Sequence, residues 1–183
     1  EEYIQMTNRF IALVQQSGKK SVGWEETAQA DINNTHLVQY WARAEFARMA
    51  IEKGAKIIMS PSKRIYLDMK YDSTTRIGLN WAAYIEVDDA YNWDPATVEP
   101  GITDEHIVGI EAPLWTETVV NRADIEYLVF PRITAVAEVA WTPAALKNLD
   151  NYKQRLARHE ARWQRLGINY YASPQVPRKK VEP

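Results

Sequence analysis

The sequence contains no cysteine, only seven glycines and no apolar run longer than a few residues. The lack of cysteine excludes disulfides, thiolate metal sites and a cysteine nucleophile. Such short apolar runs fall far below the roughly 20 residues that a membrane-spanning helix needs, so we expect no membrane span. No glycine-rich phosphate loop and no metal-ligand spacing of histidines occur, so the sequence predicts no metal site and no cofactor.

The sequence also has no large excess of charge of one sign, because 22 basic residues nearly balance 24 acidic ones. A surface that tracks phosphates needs a basic excess, so nucleic acid is not the expected partner. Apolar residues make up 46% of the chain and charged residues 25%, which is typical of a folded globular protein. Seven tryptophans stand out in 183 residues and require either a large core or a stacking site.

Short apolar segments alternate with amphipathic ones along the chain. Strands are predicted at residues 20–24, 37–41, 56–60 and 107–111. Helices are predicted at residues 2–16, 42–53, 124–139 and 151–166, with a kink at Pro131, and residues 61–104 form a long connection. Strands separated by crossover segments pair in parallel, so we expect an α/β domain over residues 1–172 and a mobile tail over residues 173–183.

Aromatic and acidic side chains follow the predicted strands. They are Trp24, Trp41, then Tyr66 with Asp68 and Trp81, and finally Trp115 with Glu117. Ligands bind at the carboxyl ends of parallel strands, and indole faces bordered by carboxylates suit a sugar. Each tryptophan taken singly is better explained as core, and Trp141 and Trp163 are interpreted as packing residues on helical stripes.

An ordered set of motifs spans residues 21–171. The motifs are Gly23-Trp24-Glu25-Glu26, Gln39-Tyr40-Trp41, Met59-Ser60-Pro61, Tyr66-Leu67-Asp68, Trp81, Tyr91-Asn92-Trp93-Asp94-Pro95, the run from Gly109 to Glu117, Phe130-Pro131-Arg132, the run from Ala137 to Trp141, and Gly167-Ile168-Asn169-Tyr170. Together they resemble the C-terminal half of the catalytic barrel of family 20 glycoside hydrolases, the β-N-acetylhexosaminidases. The resemblance implies a partial (β/α)8 TIM barrel with approximately strands 5–8 and their helices.

The resemblance also implies roles in binding a terminal N-acetylhexosamine. Trp24, Trp41 and Trp81 would surround the N-acetyl group, and Trp115 would stack beneath the pyranose ring. The hydroxyl group of Tyr66, the one catalytic side chain implied here, would donate a hydrogen bond to the acetamido oxygen. The remaining pair, Asp68 and Glu117, would accept hydrogen bonds from the O4 and O6 hydroxyls.

The family mechanism is substrate-assisted and retaining, with the acetamido oxygen attacking the anomeric carbon. The family's orienting Asp and general-acid Glu lie in a His-x-Gly-Gly-Asp-Glu motif, and this sequence contains no Gly-Gly. We therefore expect that pair to lie outside this chain and the chain alone to be inactive. The Asp104-Glu105 doublet is rejected as a substitute because it precedes a predicted strand. Glu25 and Glu26 have supporting roles at most.

Two other functions are compatible with the residues. A non-catalytic carbohydrate-binding or assembly fragment could use the same tryptophan-lined pocket. A different retaining glycosidase could use Glu111 and Glu117, if their carboxyl groups lay about 5–5.5 Å apart. The expected partners are N-acetylhexosamine-terminated glycans and either the missing N-terminal half-barrel or a second copy, because half a barrel exposes two strand edges. The resemblance favours a secreted or periplasmic location.

Overall fold

The computed structural model describes residues 1–178, which form two compact units. Unit 1 contains Glu1–Pro61 and Asp94–Glu111. Unit 2 contains Ser62–Trp93 and the described residues from Ala112 onward. Within residues 1–178, no helix is both long enough and apolar enough to cross a membrane.

Unit 1 is built on a four-stranded parallel sheet. Its strands are β1 (Val22–Trp24), β2 (Leu37–Tyr40), β3 (Lys56–Met59) and β4 (Ile107–Ile110). They pair in the order β1-β2-β3-β4, which confirms the α/β fold and the four predicted strands. The two outer strands, β1 and β4, each have one partner in this sheet, so each has an edge that pairs with no strand of the described chain.

Two helices of unit 1 differ in how much they bury. Helix α2 (Ala44–Glu52) packs on β2 and β3 through two fully buried alanines, Ala47 and Ala50. It ends before Gly54, whose positive φ of 84° is the left-handed conformation that glycine adopts readily. Helix α1 (Glu2–Gln16) buries none of its residues and exposes several apolar side chains.

Unit 2 is helical. Its helices are α3 (Ser62–Ile65), α4 (Val87–Tyr91), α5 (Arg122–Val129), α6 (Arg132–Trp141) and α7 (Leu149–Arg165). The predicted long connection therefore contains two short helices, and an isolated parallel bridge between Met69 and Leu79 adds further order. Those elements are too short to produce a periodic sequence pattern, which is why residues 61–104 resembled a loop.

The single kinked helix predicted over residues 124–139 is wrong. The chain forms α5 and α6 instead, separated by Phe130 and a cis Phe130–Pro131 peptide bond. Phe130 has the extended conformation that a following proline favours, with φ −97° and ψ 131°. Proline also lacks the N–H group that would continue the helical hydrogen bonds.

Aromatic stacking fills much of the core of unit 2. Tyr71 stacks on Tyr171 with 4.0 Å between ring centroids, and Tyr91 stacks on Tyr152 at 4.7 Å. The packing role predicted for Trp163 is confirmed, since its side chain is buried against Phe130. The same interpretation of Trp141 is wrong, because this residue ends α6 and is 87% exposed.

Residues 173–178 are anchored to unit 2, although they fall in the segment predicted to be a mobile tail. Ser173 and Val176 are buried, and the Ser173 hydroxyl donates a hydrogen bond to Glu86. Arg178 forms an ion pair with Glu160 on α7. These contacts order residues 173–178, and the proline-rich composition of the segment does not indicate them. Residues 179–183 of the predicted tail lie outside the described residues.

Candidate functional site

Three predicted site aromatics lie close together in unit 2. The Tyr66 ring meets the Trp81 ring edge-on at a centroid distance of 6.1 Å and the Trp115 ring at 6.5 Å with a tilt of 54°. Tyr66 is buried, whereas Trp81 is 56% exposed and Trp115 is 43% exposed. The indole faces are therefore supported by a fixed phenol ring yet remain accessible to a ligand.

The Asp68 carboxylate is buried beside this aromatic group. Asp68 is 1% exposed, and no side chain among residues 1–178 donates a hydrogen bond to either carboxylate oxygen. Burial raises the pKa of Asp68, and the Glu117 carboxylate raises it further. The backbone N–H groups of Asp68 and Trp115 and the Arg132 cation act against that rise in pKa. A buried carboxylate with open acceptor positions is costly, so it suits a site that receives donors from a ligand.

Backbone hydrogen bonds fix the segment that carries Tyr66 and Asp68. The Leu67 N–H donates to the Pro113 carbonyl at 2.8 Å, which joins this segment to the one that carries Trp115. The Leu79 N–H donates to the Asp68 carbonyl at 2.8 Å, and the Lys70 N–H donates to the Leu79 carbonyl at 2.7 Å. These bonds explain how a region without regular secondary structure can hold side chains in a defined arrangement.

Glu117 is exposed and acts on Asp68 as a like charge. The structure therefore brings together five of the seven predicted site residues, all in unit 2. They are Tyr66, Asp68, Trp81, Trp115 and Glu117. The arrangement combines two partly exposed indole rings with two carboxylates, which can receive apolar C–H groups and hydroxyl donors respectively.

The two remaining predicted residues, Trp24 and Trp41, belong to unit 1 and are partly exposed. Trp41 follows β2 and is held by the Glu25-Glu26 doublet. Its backbone N–H donates to Glu25 Oε2 at 2.8 Å, and its indole N–H donates to Glu26 Oε1 at 3.2 Å. The doublet thus has a supporting role within unit 1, as the sequence predicts.

Glu25 is the more deeply buried carboxylate of the doublet. It is fully buried and accepts three backbone hydrogen bonds, from Trp41 and Ala42 on Oε2 and from Arg43 on Oε1. Burial raises the pKa of Glu25, and the three N–H donors act against that rise. Both carboxylate oxygens of Glu25 are needed as acceptors, because two N–H groups bind Oε2 and the third binds Oε1.

Replacing Glu25 with alanine is therefore expected to destabilise unit 1. Alanine removes both acceptor oxygens, so the N–H groups of Trp41, Ala42 and Arg43 lose their partner at a cost of about 1–3 kcal/mol. The free energy of unfolding, measured by urea denaturation, checks this. Glu26→Ala is the matched control, because it leaves those three backbone hydrogen bonds in place and removes only the contacts with the Trp41 indole and the exposed Arg43 guanidinium, so it should change stability by less than about 1 kcal/mol. Equal losses in both variants would contradict the anchoring role.

The Asp104-Glu105 doublet lies where the sequence places it. It forms a short 3₁₀ turn with His106 directly before β4, at the amino end of that strand. Glu111 follows the carboxyl end of β4, where its Oε1 accepts from Gln39 at 2.9 Å. In a parallel sheet, chemistry is associated with carboxyl ends, so the structure gives Asp104 and Glu105 no catalytic position.

Sequence reasoning gave no role to Arg132, which is fully buried and donates hydrogen bonds to the carbonyls of Leu67 and Met69 on both sides of Asp68. The available signal was an arginine directly after a proline, at the start of a mostly apolar helix. Among residues 1–178, no group of three or more His, Cys, Asp or Glu side chains has the arrangement of a metal site.

Comparison with known proteins identifies the family. The family model for the catalytic domain of glycosyl hydrolase family 20 matches residues 2–144. A β-N-acetylhexosaminidase from Cellulomonas fimi is 42% identical over 179 residues, covering 96% of this chain and 36% of that protein. A β-hexosaminidase from Porphyromonas gingivalis is 29% identical, covering 90% of this chain and 22% of that protein.

Solved structures give the same result. The family 20 β-N-acetylhexosaminidase from Streptomyces coelicolor superimposes with a TM-score of 0.92 at 42% identity, covering 97% of this chain and 37% of that one. A mutant β-hexosaminidase from Streptomyces plicatus, in complex with its product GlcNAc, superimposes with a TM-score of 0.91 at the same identity and coverage. These neighbours are TIM barrels, and this chain spans about a third of their length. The chain belongs to glycosyl hydrolase family 20 and corresponds to part of its catalytic barrel.

Proposed function

We propose that these residues form the sugar-binding part of an exo-acting β-N-acetylhexosaminidase, which hydrolyses terminal N-acetylhexosamine residues by a substrate-assisted retaining mechanism. The observation that carries the proposal is the group of aromatic rings beside a buried carboxylate that receives no hydrogen bond from another side chain of the described residues. Tyr66, Trp81 and Trp115 supply the rings, and Asp68 supplies the carboxylate. The aromatic rings suit the apolar C–H groups of a pyranose, and the carboxylate suits its equatorial hydroxyls.

The proposed roles follow from these positions. An indole face such as that of Trp115 stacks on the sugar ring, and the hydroxyls at O4 and O6 donate to Asp68 and Glu117. Tyr66 donates its hydroxyl hydrogen to the acetamido oxygen, which orients that oxygen for attack on the anomeric carbon. Donation to a developing oxazolinium oxygen is productive only if the acetamido group is held still. The participation of Trp24 and Trp41 stays a prediction.

The general acid and the orienting carboxylate come from residues other than these 183. The names of the relatives support the reaction class, since they include β-N-acetylhexosaminidases and a chitooligosaccharidolytic β-N-acetylglucosaminidase from Ostrinia furnacalis. The GlcNAc complex of the Streptomyces plicatus protein supports the choice of ligand. Glycans that end in N-acetylhexosamine are therefore the proposed substrates.

The partner proposed for unit 1 is the rest of a barrel. Val22 on the outer strand β1 is 56% exposed, and a cavity of about 340 Å³ lies between α1 and β1. Most of its lining is apolar, with Phe10, Ile11 and Leu37 among its residues. The Nε2 atom of His36, which also lines the cavity, is buried without a hydrogen-bond partner among residues 1–178. A parallel strand from the missing half-barrel would cover this surface; a second copy of the chain is the alternative occupant.

Binding of methyl N-acetyl-β-D-glucosaminide tests the proposed function. Trp115→Ala is expected to weaken binding by about 10-fold or more, because loss of an aromatic stacking face removes a large part of the apolar contact with the sugar. Isothermal titration calorimetry measures the change. Trp141→Ala is the matched control in unit 2, since the Trp141 side chain is exposed and makes none of the proposed contacts with the sugar.

Two outcomes distinguish the proposal from its alternatives. Equal affinity for the wild-type protein and Trp115→Ala would contradict the sugar site. Binding that depends on Trp115, without turnover even in a polypeptide that also contains the His-x-Gly-Gly-Asp-Glu motif, would favour the non-catalytic carbohydrate-binding function instead.

A further inference from the structure

The fully buried Arg132 at the start of α6 donates hydrogen bonds to four backbone carbonyls. Its Nη1 donates to the carbonyls of Met69 at 2.6 Å and Ile85 at 3.1 Å, and its Nη2 donates to those of Leu67 at 2.6 Å and Leu128 at 2.9 Å. No ion pair among residues 1–178 includes Arg132. A buried cation without a bound carboxylate is costly, so its presence requires an explanation beyond packing.

Two of the four carbonyls flank Asp68 in the sequence. Because Leu67 and Met69 are both bound to one rigid guanidinium, the backbone on each side of Asp68 is fixed relative to α6. The guanidinium also lies over the Tyr71 ring, with 3.8 Å between Cζ and the ring centroid. The planar guanidinium donates to both carbonyls in fixed directions, so it sets the orientation of the backbone as well as its distance. A lysine ammonium group has no such fixed donor geometry.

We propose that Arg132 is a positioning residue for Asp68, fixing the direction of its carboxylate through both flanking carbonyls. The positive charge of Arg132 also favours the ionised form of that carboxylate. This inference rests on the proposed function, in which Asp68 accepts hydrogen bonds from sugar hydroxyls. An ionised acceptor binds hydroxyl donors more strongly than a neutral carboxyl group does. Arg132 itself touches no sugar.

The charges around the two groups are consistent with this role. Arg132 lowers the pKa of Asp68, while burial and Glu117 raise it. The titratable groups that face Arg132 besides Asp68 are Glu86, Tyr71 and Tyr127, and the cation lowers the pKa of each of them. Glu86 is already bound by the Val87 N–H and the Ser173 hydroxyl, whereas no side chain among residues 1–178 donates a hydrogen bond to Asp68.

Two substitutions separate charge from geometry in the polypeptide that carries this chain. Arg132→Met removes the cation and keeps an unbranched apolar stem, whereas Arg132→Lys keeps the cation and loses the fork. Arg122→Met is the matched control, because it removes an exposed guanidinium that pairs with Glu126 on α5. The titration midpoint of the Asp68 carboxyl is followed by ¹³C NMR with labelled aspartate, assigned with Asp68→Asn. GlcNAc affinity is measured on the same samples across pH.

Arg132→Met is expected to move the Asp68 midpoint to higher pH and to weaken GlcNAc binding about 10- to 100-fold, with the loss greatest at acidic pH. For Arg132→Lys, we expect a midpoint near that of the wild type and affinity about 10-fold weaker. Arg122→Met should change neither. A purely structural role would lower the melting temperature and leave the Asp68 midpoint unmoved.

A folded Arg132→Met protein with the wild-type Asp68 midpoint overturns the charge role. If Arg132→Met does not fold, Arg132→Lys decides the matter, because unchanged affinity in that variant overturns the positioning role. The NMR titration needs no sugar. A wild-type protein that fails to bind GlcNAc would therefore disprove the proposed function, while the Asp68 midpoint would still report on Arg132.

Discussion

Hydrolysis of 4-nitrophenyl N-acetyl-β-D-glucosaminide by a polypeptide of these 183 residues is expected to be undetectable above a buffer control. The substrate-assisted mechanism needs a general acid and a carboxylate that orients the acetamido nitrogen. The chain has no Gly-Gly and so lacks the His-x-Gly-Gly-Asp-Glu motif that supplies both. General acid–base catalysis alone contributes about 10²–10⁴-fold, so its loss removes most of the rate.

Release of 4-nitrophenolate across pH 4–8 provides the measurement, and light scattering of the same sample gives its assembly state. We expect the exposed edge of β1 and the apolar surface of α1 to cause self-association, because unpaired strand edges act as templates for another chain. A dilute monomer with a cooperative melt would contradict that expectation. Appreciable turnover with an acidic optimum would show that a carboxylate of this chain replaces the missing acid.

The strands of unit 1 and the positions of their carboxyl ends were predictable because their signals are local. Each strand is a short apolar segment bounded by glycine, proline or polar residues, and parallel pairing follows from the crossover segments between them. The position of Asp104-Glu105 before β4 followed from chain order alone. The break between α5 and α6 was visible as Pro131, but a proline can kink a helix or end it, and the sequence does not distinguish the two.

The supporting contacts of the candidate site were not predictable, because they join residues far apart in sequence. Arg132 donates to a carbonyl 65 residues away, and Glu25 accepts from the backbone 16 residues away. Backbone carbonyls and N–H groups occur at nearly every position, so side-chain bonds to them leave no pattern of residue types. Tyr66 and Asp68 could be proposed from the sequence because aromatic rings and carboxylates are themselves residue types that suit a sugar.

Asp68→Asn is expected to stabilise unit 2 at neutral pH while weakening sugar binding. Burial and Glu117 together raise the pKa of Asp68 in the folded protein above its ordinary value. The wild type therefore loses stability as pH rises through the unfolded-state pKa, about 3.9, and the loss is complete above the folded-state pKa. Asparagine carries no charge at any pH, so the variant avoids this loss.

The gain in the free energy of unfolding is expected to be present in full at pH 7 and to be close to zero below the unfolded-state pKa. Arg132 limits the gain, because the variant removes a carboxylate that the cation favours. Urea denaturation at pH 3, 5 and 7 measures the difference. At pH 7, Asp68→Asn is expected to bind GlcNAc about 10- to 100-fold more weakly than the wild type, because the charge-assisted hydrogen bonds from sugar hydroxyls to Asp68 are lost.

Asp124→Asn is the matched control with the opposite sign. Asp124 lies in α5, and its pKa is lowered chiefly by the hydrogen bond from Arg76, with the Val120 N–H as a further donor. Its ionised form is stabilising above the unfolded-state pKa, so Asp124→Asn should lose stability at pH 7 and converge on the wild type as pH falls. A less stable Asp68→Asn protein at pH 7 would mean that the folded chain favours the Asp68 carboxylate even without sugar. If Asp68→Asn instead raises the free energy of unfolding at pH 7 and Asp124→Asn lowers it, the ionised Asp68 carboxylate destabilises the folded protein. Residues that serve binding are commonly retained at such a cost to stability.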